Sequence, residues 1–282
     1  PLASLASVGG IMTKIRLIAV DLDGTMLSRE STITRRVKNA VAAVRAAGVY
    51  FTVSTGRMFS AAAHFARELD IDLPLITYQG ALVKNSLSGE VLRYRPLPQV
   101  YARELITRVQ QLGYHMNGYL EDRLLVERDD ELGRRYAANN GVEMVVVGDF
   151  NEYFQDDPTK LVVIAEEQQV TRLLAELAPA YQGKVHLSKS LPGYLEFSHL
   201  QATKGDALAY LARYFGVRKE EVMAIGDSYN DMEMLQYAGV GVAVANARDD
   251  LKRIADYVTS QSYGDGVVEA LEQYVLHSPV HD

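Results

Sequence analysis

The sequence contains no cysteine among its 282 residues, which excludes disulfide bonds and thiolate metal sites. It contains no apolar run that approaches the length of a membrane-spanning helix. Excess positive charge is also missing: the net charge is −7, which disfavours nonspecific binding to nucleic acids or anionic membranes. We therefore expect a cytoplasmic globular protein with neither nucleic-acid nor membrane partners. No pattern in the sequence fixes its oligomeric state.

The first residues differ in composition from the rest of the chain. Residues 1–11 are small and weakly apolar, and Lys14 is the first charged residue. A secretory signal peptide would begin with a basic segment. We expect residues 1–11 to be a disordered leader or an expression remnant, with Met12 a candidate for the native first residue.

A short apolar run, Ile15 to Val20, is followed at once by Asp21-Leu22-Asp23-Gly24-Thr25. Such a run is typical of a buried strand. The two carboxylates then fall at the carboxyl end of that strand, which is where open α/β sheets bind their ligands. Because clustered carboxylates repel one another and are costly to desolvate, their placement indicates chemistry.

Predicted strands and helices alternate between residues 15 and 78, and the same alternation resumes at Thr203. It predicts an α/β fold with a doubly wound, Rossmann-like parallel sheet. The block between them favours hairpins mixed with helices. We therefore predict an α+β cap domain at residues 83–198, inserted into a catalytic core formed by residues 12–82 and 199–282. Two chain crossings at this boundary favour a hinged lid over the carboxyl edge of the sheet.

Four groups of residues fall at predicted strand ends or at the start of the following helix. They are Asp21-Leu22-Asp23-Gly24-Thr25, Thr55-Gly56-Arg57, Lys204 and the segment Gly226-Asp227-Ser228-Tyr229-Asn230-Asp231. Together they resemble the four motifs of the haloacid dehalogenase superfamily. The inserted block resembles a type IIB cap, and within that group the sequence is similar to the Cof-type sugar phosphatases. The resemblance covers essentially all of residues 14–276.

The charges of these residues argue for a bound cation. Asp21, Asp23, Asp227 and Asp231 bring four negative charges together, and a phosphate monoester adds roughly −1.5 to −2 at neutral pH. Two like charges about 4 Å apart repel by about 4 kcal/mol at an effective dielectric constant of about 20. Lys204 supplies one positive charge. Oxygen ligands without cysteine or histidine favour Mg²⁺ as the remaining counter-charge.

The resemblance also implies a role for each acid. Asp21 would be the nucleophile that forms an aspartyl-phosphate, and Asp23 would protonate the leaving oxygen and later activate water. Asp21, the backbone carbonyl of Asp23, and Asp227 would hold Mg²⁺. Asp231 would act from outside this ligand shell, orienting bound water or Lys204.

The residues expected at the phosphate or the substrate are Leu22, Thr55, Gly56, Arg57, Gln79, Asn230 and Lys204. Ser54 competes with Thr55 for the phosphate-binding hydroxyl, and we favour Thr55. Arg57 is equally compatible with a substrate contact and with an ion pair. Gln79 stands where Cof-type proteins usually carry asparagine, so its extra methylene shifts any substrate contact. In or near the cap, Tyr119, Tyr194 and Glu196 are candidates for facing the site.

The resulting hypothesis is a Mg²⁺-dependent phosphomonoester hydrolase acting on small phosphorylated metabolites, with sugar phosphates as the favoured class. A phosphomutase would use the same aspartyl-phosphate but must protect it from water. A phospho-aspartate signalling receiver is a further alternative. Asp23 argues against a receiver, because a slow switch does not need an acid/base beside its phosphorylated aspartate.

Overall fold

The structure is a computed structural model that describes residues 14–277 and 279–281. The expected leader at residues 1–11, and Met12, lie outside the described residues. The strands in chain order are β1 (Leu17–Val20), β2 (Tyr50–Val53), β3 (Pro74–Thr77), β4 (Leu82–Asn85), β5 (Val91–Tyr94), β6 (His115–Leu120), β7 (Arg123–Val126), β8 (Met144–Val146), β9 (Lys160–Ile164), β10 (Val185–Leu191), β11 (Tyr194–His199), β12 (Val222–Gly226), β13 (Val240–Ala243) and β14 (Tyr257–Val258).

The helices are α1 (Arg35–Ala46), α2 (Phe59–Glu68), α3 (Gln99–Leu112), α4 (Glu131–Asn140), α5 (Phe150–Tyr153), α6 (Glu167–Tyr181), α7 (Lys204–Tyr214), α8 (Met232–Tyr237), α9 (Asp249–Ile254) and α10 (Tyr263–Leu271). Across the described ranges, none of them has both the length and the apolar composition needed to cross a membrane.

The core is a parallel sheet in the order β14-β13-β12-β1-β2. β1 and β12 are buried along their whole length, as expected for strands covered on both faces. From β1 the chain winds outward to β2 in one direction and, later, through β12 to β14 in the other. Because crossovers between parallel strands are almost always right-handed, this strand order puts the helices of the two halves on opposite faces. The predicted doubly wound fold is thereby confirmed, and β1 lies at the switch point where such sheets bind ligands.

β3 belongs to a separate three-stranded sheet and touches the parallel sheet at one point. A single parallel bridge between Ser54 and Ile76 joins it to the end of β2, and it then pairs antiparallel with β4, which pairs with β5. Tyr78, Gln79 and Gly80 have positive φ angles, and this tight turn reverses the chain. The predicted cap boundary at residue 83 falls inside β4. The division of the chain into core and cap stays a prediction.

The inserted block is built on a second sheet in the order β10-β11-β9-β6-β7-β8. Its neighbouring strands are antiparallel, except for the parallel pair β7 and β8. Helices α3 and α6 bury apolar side chains against this sheet, in a core distinct from that of the parallel sheet. This mixed arrangement is the α+β architecture that the sequence predicts.

Contacts between the inserted block and the core hold the two together. The rings of Tyr78 and Tyr119 meet edge to face, 5.7 Å apart, within an apolar cluster contributed by both parts. Asp122, in the turn between β6 and β7, accepts hydrogen bonds from the backbone N–H groups of Phe59 and Ser60, each at 2.9 Å. It also accepts one from the Tyr78 hydroxyl at 2.7 Å. The inserted block is therefore anchored at the amino end of α2.

Candidate active site

The carboxyl end of β1 leads directly into a buried network of charged side chains. Lys204, the first residue of α7, donates hydrogen bonds from Nζ to Asp21 Oδ1 and to Asp231 Oδ1, each at 2.6 Å. All three side chains are buried. Asp231 Oδ2 accepts the backbone N–H groups of Asp227 and Ser228, each at 3.0 Å. Four sequence-predicted residues thus meet at one edge of the sheet.

The electrostatics of this network show an excess of negative charge. Burial raises the pKa of Asp21 well above its ordinary value, and repulsion by Asp231 and Asp227 adds to the shift, although Lys204 opposes it. Burial, followed by repulsion from Asp231, raises the pKa of Asp227 to about 6. Lys204 shows the opposite response: burial disfavours its charge, but Asp21 and Asp231 outweigh burial and raise its pKa. A further positive charge would stabilise the network.

The donor set fits a divalent cation that prefers oxygen ligands. Carboxylate oxygens of Asp21, Asp227 and Asp231 lie within 4.8 Å of one another. Both oxygens of Asp231 are already engaged by Lys204 and by backbone N–H groups. Asp21 and Asp227 therefore carry the oxygens that a cation would take. Mg²⁺ is commonly held by one or two carboxylates together with water, so these residues fit the predicted ion.

Asp23 has a different environment, although it lies only two residues from Asp21. Arg57 donates two hydrogen bonds to the Asp23 carboxylate, from Nε to Oδ2 at 2.8 Å and from Nη2 to Oδ1 at 2.6 Å. The Asp23 side chain is 52% exposed. Its hydrogen bonds raise the pKa of Arg57 despite the partial burial of the guanidinium. Of the two roles predicted for Arg57, the structure shows the ion pair.

The turn after β1 brings Asp227 close to the backbone. Gly24 has a φ angle of +83°, and a Cβ atom there would lie 2.5 Å from Asp227 Oδ2. Glycine is therefore the residue that this close approach allows. Thr25 Oγ1 donates to Asp227 Oδ1 at 2.9 Å, a contact that the sequence analysis did not predict. The Leu22 side chain is buried in the apolar core and does not line the cavity beside the acids, so its predicted place at the phosphate stays a prediction.

The end of β2 supplies the two candidate hydroxyls, Ser54 and Thr55, both fully buried. Thr55 Oγ1 accepts the backbone N–H of Arg57 at 3.2 Å, so its own hydrogen can be donated to a ligand. The Ser54 hydroxyl is buried and has no hydrogen-bond partner within the described part of the chain. Neither residue lines the cavity as a side chain, so the choice between them stays a prediction.

Gln79 joins two of the predicted motifs. Its Oε1 accepts a hydrogen bond from Asn230 Nδ2 at 3.0 Å. Its amide lies directly over Gly56, where a Cβ atom would come within 2.4 Å of Nε2. Gln79, which is one methylene longer than asparagine, thus reaches both Gly56 at the end of β2 and Asn230 in the loop after β12.

The site opens onto a cavity of about 410 Å³ between the core and the inserted block. The core residues that line it are Asp21, Asp23, Gly56, Arg57, Gln79, Asp227, Ser228 and Asn230. The inserted block contributes Tyr136, Asn139, Asn140, Lys160, Val162, Ser190, Tyr194 and Glu196. Of the candidates proposed from the sequence, Tyr194 and Glu196 line the cavity. Tyr119 lies behind it and donates to the Tyr136 hydroxyl at 2.7 Å.

The fold and the site together define a class of enzyme: a doubly wound sheet with an aspartate cluster at its carboxyl edge, covered by an inserted α+β block. The chain belongs to the haloacid dehalogenase-like hydrolases, whose family model matches residues 18–271. The predicted family and the predicted enzyme class, a phosphatase of this superfamily, are confirmed.

Individual relatives agree with this assignment. The chain is 29% identical, over 267 residues, to the 5-amino-6-(5-phospho-D-ribitylamino)uracil phosphatase YitU of Bacillus subtilis, covering 93% of this chain and 98% of the relative. A haloacid dehalogenase-like hydrolase from Bacteroides thetaiotaomicron superposes with a TM-score of 0.84 at 27% identity, over 92% of this chain and 99% of the other. The subclass IIB sugar phosphatase BT4131 superposes with a TM-score of 0.80 at 23% identity, over 92% and 98%, and shares the fold.

Proposed function

We propose that this protein is a Mg²⁺-dependent phosphomonoester hydrolase that acts on small phosphorylated metabolites, sugar phosphates foremost, through an aspartyl-phosphate. The observation that carries the proposal is the position of Asp21. It is buried at the switch point of the sheet, held at 2.6 Å by Lys204, and open to a cavity closed by the inserted block. The YitU relative is named as a phosphatase of a phosphorylated ribityl compound, which supports a small phosphorylated metabolite as the substrate.

In the first step, an Asp21 oxygen attacks phosphorus, and the bond from phosphorus to the leaving oxygen breaks. Asp23 enters this step as the protonated acid, after its ion pair with Arg57 has parted, and gives its proton to that oxygen. Lys204 and the Thr55 hydroxyl donate hydrogen bonds to the phosphoryl oxygens. Asp21, Asp227 and the Asp23 carbonyl would hold Mg²⁺, which when bound supplies positive charge to the phosphoryl group.

In the second step, water attacks the phosphorus of the aspartyl-phosphate. Asp23 accepts the proton of that water, and the bond between phosphorus and Asp21 breaks, which restores both carboxyl groups to their starting states. The products are an alcohol and inorganic phosphate. Asp231 keeps Lys204 in place throughout, because its other oxygen is fixed by two backbone N–H groups.

Substitution of the nucleophile tests this function. Asp21→Asn should stay folded but lose at least about 1,000-fold in the hydrolysis of an aryl phosphate, because an amide cannot attack phosphorus. EDTA should abolish wild-type activity, and Mg²⁺ should restore it. Asp249 is exposed and lies in α9, outside the inserted block, so Asp249→Asn is the matched control and should retain activity.

The product separates hydrolysis from the alternatives. Inorganic phosphate as the main product supports a hydrolase, whereas a rearranged phosphosugar would indicate a mutase. A phosphoenzyme that persists for minutes would indicate a signalling receiver. Undiminished turnover by Asp21→Asn would overturn the mechanism.

A further inference from the structure

A buried ion pair lies on the cap side of the catalytic cavity. Lys160 Nζ is 2.8 Å from Glu196 Oε2, and the two side chains are only 4% and 7% exposed. They stand on the adjacent strands β9 and β11, and both line the cavity that contains Asp21. Replacing a buried ion pair by apolar side chains is often neutral or stabilising, so stability alone does not explain why a pair is present here.

Lys160 and Glu196 are both held in defined positions. The Lys160 ammonium lies over the ring of Tyr119 at 5.3 Å and donates to the backbone carbonyl of Gly56 at 3.3 Å, which connects it to the loop that carries Thr55. Burial disfavours the charge of Glu196, but the attraction of Lys160 and hydrogen bonds from Lys160 and Ser190 outweigh burial and lower its pKa. The pair therefore presents a fixed cation and a fixed anion to the cavity.

The residues of the inserted block that line the cavity, here called the cap wall, carry no net charge as a group. Apart from Lys160 and Glu196, whose charges cancel, its lining side chains are neutral and mostly polar. Hydroxyl groups would find donors and acceptors there: the Tyr136 hydroxyl accepts a hydrogen bond from Tyr119, so its own hydrogen can be donated to a ligand. On the cap wall a charged leaving group would lose its hydration without meeting a counter-charge, because Lys160 and Glu196 are already paired with each other.

We propose that Lys160 and Glu196 are specificity-determining residues that bind hydroxyl groups of an uncharged, polyhydroxylated leaving group. Neighbouring hydroxyls would bridge the pair: one donates to the Glu196 carboxylate, and the oxygen of the other accepts from the Lys160 ammonium. The inference rests on the proposed phosphatase function and names the part of the substrate that the cap binds. It predicts that phosphorylated hydroxy acids are poorer substrates, because their carboxylate would be repelled by Glu196 and would have to compete with Glu196 for the Lys160 ammonium.

The test compares substrates that differ in their leaving groups. Wild-type enzyme should have a kcat/KM at least about tenfold higher for hexose or pentitol phosphates than for phosphoglycolate. Glu196→Gln and Lys160→Met should each lower the ratio of kcat/KM for the sugar phosphate to that for p-nitrophenyl phosphate by at least about tenfold, since a site built to bind hydroxyls then has an unpaired polar group. Glu167→Gln and Lys184→Met, exposed positions on the same inserted block, should leave the ratio unchanged.

A merely structural pair would give a different result. Its loss would lower the melting temperature, or reduce the activities toward the sugar phosphate and p-nitrophenyl phosphate together. In either case the ratio of the two kcat/KM values would be unchanged, and an unchanged ratio would overturn the inference. Glu196→Gln preserves shape and decides the matter if Lys160→Met does not fold. A wild-type preference for phosphoglycolate would also overturn it. If the wild-type enzyme released phosphate from neither substrate class, the proposed function itself would fail, which is distinct from an active enzyme whose variants keep the ratio.

Discussion

At the scale of single residues, two chemically identical carboxylates have been placed in unlike surroundings. Asp21 is buried and fixed by Lys204, whereas Asp23 is half exposed and held by Arg57. A buried, fixed group suits attack on phosphorus, which demands a defined position. A group at the edge of the cavity, with a partner that it can release, suits proton transfer to a leaving oxygen and then from water.

This division predicts a specific kinetic defect for Asp23→Asn. With p-nitrophenyl phosphate, whose leaving group needs little protonation, the first step should persist while hydrolysis of the aspartyl-phosphate slows by about 10²- to 10⁴-fold, because its base is missing. Rapid-mixing measurements should show a burst of about one nitrophenolate per active site. A sugar phosphate should give no burst, since its alkoxide needs the proton. Steady turnover at the wild-type rate would refute the role of Asp23.

The meeting of the acids at one sheet edge could be predicted from the sequence, because each follows a recognisable strand and parallel strands bring their carboxyl ends together. Lys160 could not be predicted in this way. It opens an apolar strand, and its partner Glu196 is 36 residues away on a neighbouring strand. Only the register of β9 and β11 brings the two together, and the local sequence does not encode that register.

At the scale of secondary-structure elements, the inserted block completes a helix of the core. The N-cap residue of α2 is Met58, whose side chain cannot accept hydrogen bonds from the first turn. Asp122 supplies this interaction instead, from a turn where Glu121 and Asp122 both have positive φ angles. The Asp122 carboxylate thus caps the amino end of α2 and anchors the inserted block to the core.

Asp122→Ala should therefore destabilise the protein by about 1–2 kcal/mol, the usual cost of losing a helix cap together with a hydrogen bond. The measurement is urea denaturation followed by circular dichroism. Asp122→Asn should recover part of the loss, because asparagine also caps helices. Asp129→Ala, which removes an exposed ion pair with Arg134, is the control and should change stability by less than about 1 kcal/mol. Equal effects from Asp122→Ala and Asp129→Ala would contradict the anchoring role.

Elements with strong local signals can be predicted from the sequence, whereas those defined by distant contacts cannot. Thr34 caps α1 and Asp130 caps α4 through their side chains, as such residues commonly do. α5 is too short to show a helical period in the sequence, because it spans only Phe150–Tyr153, and its first residue is buried by tertiary packing. The turn between β3 and β4 depends on positive φ angles at Tyr78 and Gln79. Such angles are uncommon for tyrosine and glutamine, so the sequence does not indicate this turn.

At the scale of the whole molecule, the two parts enclose the chemistry. The sheet supplies the acids, and the inserted block supplies a polar wall across a cavity of about 410 Å³. That volume is typical of sites for small molecules, so it fits a metabolite. The change from alternating strands and helices to hairpins along the sequence predicts an inserted α+β block. Of the side chains that the inserted block contributes to the cavity, the sequence pointed to Tyr194 and Glu196 but not to the others, because strand pairing and helix packing decide which of them face inward.

The central claim is that phosphate passes through a covalent bond to Asp21. The direct measurement is to mix the enzyme with Mg²⁺ and a hydrolysed phosphomonoester, quench with acid within the turnover time, and locate the phosphoryl group by peptide mass spectrometry. We predict phosphorylation of the peptide at Asp21 and none in Asp21→Asn. A phosphoryl group on another residue, such as Ser54 or Thr55, or rapid turnover with no trapped phosphoenzyme, would contradict the account.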